Sequence, residues 1–108
     1  MSLEALAREH LKRAQPDSTG RSSSTVYGGH EHVLRQTLIA IKAGRSMSEH
    51  ESPDESTVLV LQGRVRLVAK DDAWEGRSGD MLIVPERRHS IEAIEDSVLL
   101  LTVAMVKF

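Results

Sequence analysis

The sequence predicts an all-β domain, a sandwich or closed barrel, preceded by one short amphipathic helix. Three observations predict it. Short segments rich in Val, Leu and Ile are punctuated by Gly, Asp and Pro at close, regular intervals. The run Arg64, Val65, Arg66, Leu67 alternates charged and aliphatic residues, the period of a half-buried strand. Helical spacing is confined to the start of the chain, so no crossover helices separate the strands, and a parallel sheet is disfavoured.

In chain order, Leu3, Leu6, Ala7, Leu11 and Ala14 recur at steps of three and four, with Ser2 as a capping residue and Pro16 as a stop. Residues 1–14 are therefore expected to form the helix, laid over an open end or edge of the core or onto a partner subunit. Its polar face mixes acid and base, unlike a membrane-surface helix. His10 on this helix is expected to be solvated. The run QPDSTGRSSST over 15–25 has turn and linker composition and is read as an exposed connector. The barrel domain is assigned to 26–108, with strands at 26–27, 33–43, 57–61, 64–69, 73–76, 81–84, 90–93 and 98–106. Gln62-Gly63 reads as a hairpin turn, and Lys70-Asp71-Asp72 separates the next strand pair.

The 108 residues suit one domain with one core. Trp74, Tyr27 and Phe108 are its only aromatics, so that core is aliphatic and offers no platform for stacked bases. Fourteen Lys and Arg against 16 Asp and Glu, scattered along the chain, argue against a nucleic-acid partner. No cysteine is present, which excludes disulfides, thiolate nucleophiles and thiolate zinc sites and fits a cytoplasmic location. The longest apolar stretch, 98–106, is too short for a helical membrane span, and MSLEALAREH lacks the apolar segment of a signal peptide. No membrane partner is expected.

Gly44, His50, Gly63, Gly79, Pro85 and His89 fall in a recognisable order. Gly44 is followed by five residues, then His50, and Gly63 closes that segment; Gly79-Asp80 leads to Pro85 and His89. This frame resembles the two motifs of the cupin superfamily, over roughly 33–106. The resemblance implies a cupin-type jelly-roll β-barrel, a double-stranded β-helix. The three glycines suit positive-φ turns between strands, and Pro85 suits a strand end at a barrel rim.

In that family, two histidines and a glutamate from the first motif and a histidine from the second converge on a divalent transition metal inside the barrel. Imidazole and carboxylate donors suit iron, manganese, nickel or zinc. Carried over residue by residue, the resemblance assigns His50 and His89 as metal ligands facing a shared cavity. Ser52 stands where the second histidine belongs, and Ser56 stands at the glutamate position. Glu55 lies one residue earlier, on the opposite face of a regular strand, and reaches the site only if the segment bulges. In the second motif Arg87 replaces a glycine, the loop to His89 is one residue short, and Ala93 takes the asparagine position.

Ser52, Ser56 and Arg87 are accordingly candidate pocket residues, Arg87 and its neighbour Arg88 as a guanidinium grip on an anion. His30 and His32 in GGHEH are a weaker candidate pair, sharing one face if that segment is extended. Trp74 is expected in the core or an interface, and Met47, Met81 and Met105 as gap-fillers.

Three functions remain open on this reading. One is a barrel that binds a small molecule through His50 and His89, with a degenerate metal site or none. A second is a metal-dependent enzyme of dioxygenase or isomerase type. The third is a structural or interaction module. The resemblance also implies a homodimer, because small barrels of this family commonly pair through sheet edges or faces.

Overall fold

The computed structural model describes residues 1–50 and 55–104, with the backbone alone at 48–50. Helix α1 (Leu3–Ala14) is followed by nine strands: β1 (Arg21–Tyr27), β2 (Leu34–Ile41), β3 (Ser46–His50), β4 (Glu55–Gln62), β5 (Arg64–Ala69), β6 (Asp72–Arg77), β7 (Met81–Ile83), β8 (His89–Ala93) and β9 (Ser97–Ala104). The strands form two antiparallel sheets, ordered β1-β2-β9-β4-β7 and β3-β8-β5-β6. Two such sheets facing each other across an aliphatic interior are the jelly-roll arrangement that the sequence predicts. No helix among the described residues is long and apolar enough to cross a membrane.

The interior is filled from both sheets. Ile39, Ile41, Val58, Val60 and Leu99 from the larger sheet meet Val65, Leu67, Ile91 and Ala93 from the smaller one, with Met47, Leu82 and Leu101 packed around them. Burial on β4 and β5 alternates with the strand period, so one apolar face per strand is enough to make this core. Each fully buried Leu or Val contributes about 1.5–3 kcal/mol relative to exposure.

Helix α1 covers the outer face of the larger sheet, neither an open end nor an edge. Ser2 caps it by accepting a hydrogen bond from the Ala5 amide at 3.1 Å. Ala7 and Ala14 pack on Leu38, Ala40 and Val98, flanked by Leu3, Leu6, Leu11 and Val26. Contrary to expectation, His10 is not solvated. It is 3% exposed, and its ring nitrogens lie 2.6 Å from Ser22 Oγ and 3.0 Å from Ser24 Oγ. Strand β1 starts at Arg21, inside the stretch read as connector, and its serines tie the helix to the sheet. Strand β3 was also not anticipated.

Gly63 is not a hairpin turn. β4 pairs with β7 and β9, whereas β5 pairs with β6 and β8, so Gly63 carries the chain from one sheet to the other. The β8–β9 link makes the return crossing beside it. Ser97, fully buried, accepts from the Arg64 amide at 3.0 Å and reaches Arg64 O at 3.1 Å and Glu95 O at 2.7 Å. The Ile94 amide donates to Arg64 O at 2.9 Å as well. Gly63 has φ +87°, and a Cβ there would lie 2.3 Å from Asp96 O and 2.4 Å from Ser97 Oγ.

Three substitutions check this packing. Gly63→Ala is expected to lose about 3–5 kcal/mol in urea denaturation, a left-handed backbone penalty plus an overpacking one. Gly79→Ala, with φ +92° but nothing within 4 Å of a new Cβ, is expected to lose only about 1–2 kcal/mol; equal losses would contradict the crossing as described. His10→Ala is expected to cost about 1–3 kcal/mol by orphaning the two serine hydroxyls, and an unchanged urea midpoint would show that His10 does not hold the helix.

Candidate functional site

Strand register identifies which residues share the interior at the end opposite Gly63. Cross-strand partners occupy one face of a sheet. On the larger sheet, Val58 and Leu101 are partners and Thr37 is opposite Leu101; one step further out, Arg35, Val103 and Ser56 form the last inward row. On the smaller sheet, Met47, Ile91, Leu67 and Trp74 form one row, and His50 opposite His89 begins the next. The last inward positions of both sheets thus lie away from the Gly63 crossing and bring Arg35, Ser56 and His89 in beside Val103, while the layers beneath are aliphatic but for Thr37.

Strand β3 reaches this register through a bulge. Three steps from Met47 to His50 match two steps from Ile91 to His89. One extra residue re-phases the strand, so His50 takes the position opposite a buried histidine.

His89 is 4% exposed. Its Nδ1 lies 2.9 Å from the Arg87 carbonyl oxygen. A carbonyl only accepts, so Nδ1 carries the hydrogen, and in the neutral ring the lone pair sits on Nε2. Histidines that bind metals or accept protons are commonly oriented by such a carbonyl contact.

The other candidates are distributed as follows. Ser56 is buried, in line with Val58 and Val60, and its carbonyl accepts from the Val84 amide at 3.1 Å. Glu55 lies on the exposed side of β4, and the register shift in that strand falls at Val60/Gln62, far from it. Ser52 lies outside the described residues. Arg87 is engaged: it donates to Asp72 Oδ2 at 2.7 Å, and its guanidinium carbon lies 5.9 Å from the centroid of the Trp74 ring. Trp74 is 41% exposed, at the rim and not in the core. His30 and His32 sit in an exposed turn, not an extended strand, with the His32 ring edge-on to Tyr27 at 5.3 Å.

Arg35 and Thr37 on β2, and Asp72 beside Arg87, were missed by sequence reasoning. The first two were readable in principle, since they lie four and two residues before Ile39 on one face of a strand. Asp72 depends on a hairpin register that sequence does not specify.

A transition metal of the four-ligand kind does not fit the described residues. No three His, Asp or Glu side chains among them converge in a group able to hold an ion. Ser56 occupies the inward carboxylate position, and a serine hydroxyl is a poor donor to such metals.

No protein-family model matches the chain, and no curated protein matches it. Solved structures do. A cupin superfamily protein from Desulfitobacterium hafniense is 22% identical, covering 80% of this chain and 78% of its own, with a TM-score of 0.73. A conserved protein of unknown function from Streptococcus pyogenes is 20% identical over 85% of this chain and 80% of its own, at 0.74. Salicylate 1,2-dioxygenase from Pseudaminobacter salicylatoxidans is 17% identical and covers 93% of this chain but 33% of its own, at 0.77. Together with the two-sheet topology, these likenesses make the chain a small domain of cupin fold.

Proposed function

We propose that this barrel binds a small molecule at its polar end, with His50 and His89 lining the site beside Ser56 and Arg35. The carrying observation is His89, buried and oriented by the Arg87 carbonyl. A buried imidazole with its lone pair set on one nitrogen can accept a hydrogen bond from a ligand or take up its proton. The aliphatic layer beneath, with Leu101 and Val58, suits an apolar ligand body, in the usual pattern of a few polar groups above an apolar floor.

The same His89 geometry supports a second reading, a metal-dependent enzyme, because a fixed tautomer also suits a metal ligand. The donor set argues against a tightly held ion. Iron, manganese, nickel or zinc bound through His50 and His89, even with Glu55, would be held less firmly than by four ligands.

Elemental analysis of protein purified without a metal-affinity tag separates the two readings. The binding reading expects metal well below one ion per chain, not restored to stoichiometry by adding the ion. Stoichiometric retention after dialysis would favour the enzyme. The double variant His50→Ala/His89→Ala is expected to abolish residual zinc or manganese binding and leave the far-ultraviolet circular dichroism intact. Loss of the β-signal would instead make both histidines core residues.

The partner we propose is a second copy. The half of the larger sheet's outer face that α1 leaves uncovered carries the rows Met81, Leu59, Leu100 and Ile83, Thr57, Thr102, Gln36, none of them charged. Met81, expected as a gap-filler, is 59% exposed and Ile83 is 69% exposed. These uncharged rows, with Glu55 only at their margin, can meet their own copy across a two-fold axis with little like-charge repulsion. Light scattering is expected to give twice the chain mass for the native protein and a single chain mass for Met81→Lys/Ile83→Lys; a native monomer at every concentration would overturn the pairing.

A further inference from the structure

The two sheets do not meet alike on their two sides. At β6, Gly76 permits close approach, since a Cβ there would lie 3.1 Å from Val60 and 3.2 Å from Leu82. On the other side β1 and β3 are the free edges of their sheets. Between them lies a cavity of about 320 Å³ lined by Thr19, Arg21, Ser22, Ser23, Ile39 and Met47. Apart from Met47, in the row beneath His50 and His89, these residues lie outside the polar end described above, so the cavity's polar groups do not depend on the histidine reading.

Strand alternation sets its chemistry. Ser22 and Ser24 turn toward α1 and His10, which leaves Arg21 and Ser23 on the face away from the helix. The Arg21 side chain is half-buried and makes no hydrogen bond or ion pair among the described residues. Ile39, 6% exposed, and Met47 supply an apolar floor. A cation beside apolar surface attracts an anion more strongly than one in open water.

We infer that this side cavity is a binding site for a small monocarboxylate with a short apolar body. The guanidinium fork matches a carboxylate in two parallel hydrogen bonds. The Ser23 hydroxyl is on the same face, and the hydrocarbon part rests on Met47 and Ile39, a surface that adapts to irregular shapes. At about 30 Å³ for each water-sized group, the volume admits on the order of ten heavy atoms.

Charges of both signs lie nearby: Arg45 donates to the Ser18 carbonyl at 3.1 Å, and Asp17 is the acidic group. Asp17, exposed on the segment before β1, accepts from the Thr19 amide at 2.8 Å and from the Thr19 hydroxyl. Those hydrogen bonds first, and the Arg21 charge last, hold its carboxyl below the ordinary carboxylate range. This carboxylate repels an incoming anion and so weakens its binding at Arg21.

The test uses hexanoate and its uncharged analogue hexanamide, titrated into the full chain and read by the methyl resonances of Met47 and Ile39. Hexanoate is expected to saturate these shifts and to bind at least about tenfold tighter than hexanamide, the ratio for one lost charge-assisted contact. Arg21→Gln is expected to bring hexanoate down to the hexanamide level. Asp17→Asn, which keeps the Oδ1 acceptor, is expected to tighten hexanoate binding. His50→Ala/His89→Ala is expected to leave it unchanged, which separates this site from the polar end. Equal binding of the two probes, absence of saturation, or unaltered hexanoate affinity in Arg21→Gln would each overturn the proposal.

Discussion

The double crossing at Gly63 and Ser97 is the constraint on which the rest of the structure depends. The chain passes from the larger sheet to the smaller at Gly63 and returns at Ser97, and both passages share one buried hydroxyl and one left-handed glycine. A hydroxyl with no water available must find its partners within the fold, and Ser97 finds them on the backbone of Arg64 and Glu95. That fixes the two sheets at one end and sets the register of β4 against β9 and β5 against β8. Because these strands carry most of the aliphatic interior, the packing of every inward row follows from the crossing. Asp96 extends the same corner outward, accepting from the Ala43 amide at 2.8 Å and from Gln15 Nε2 at 2.9 Å, so the helix end and the β2–β3 turn are anchored there too.

Closure at one end leaves polar side chains at the opposite end. Away from Gly63 the inward rows change from Val, Leu and Ile to the buried Ser56 and His89, with the exposed Arg35 at the end of β2. Buried polar groups are costly unless satisfied, and His89 is satisfied by a backbone carbonyl that also sets its tautomer. The Asp72, Arg87 and Trp74 cluster stands at the edge of this end, so Arg87 is already committed to a carboxylate and a ring. Arg21, on the open side between β1 and β3, makes no side-chain hydrogen bond or ion pair among the described residues.

Much of this was legible in the sequence, for identifiable reasons. Leu3, Leu6, Ala7, Leu11 and Ala14 carry helical spacing because one stripe of α1 packs on the sheet. Val58, Val60, Val65 and Leu67 alternate because each strand has one interior face, and the same count places Ser56 inward and Glu55 outward. What stayed hidden has equally physical causes. Strand β1, RSSSTVY, shows no apolar alternation because its helix-facing side is satisfied by His10 and its other side borders an open cavity. Strand β3, SMSEH, is a polar edge re-phased by a bulge. His10 looked like a surface residue because its burial depends on two serines more than ten positions away. Gly63 carries the same signal in a hairpin as in a crossing between sheets, and only the pairing of β4 and β5 with other strands tells them apart.

The account of the polar end rests on the orientation of one imidazole, and nitrogen-15 NMR of the His89 ring tests it most directly. In the neutral ring, long-range proton–nitrogen correlations are expected to show a protonated Nδ1 and an unprotonated Nε2, with the Nδ1 hydrogen protected from exchange by the Arg87 carbonyl. An Nε2-protonated ring would contradict the account, because the lone pair on Nδ1 would then face the lone pairs of the Arg87 carbonyl and the contact could not be a hydrogen bond.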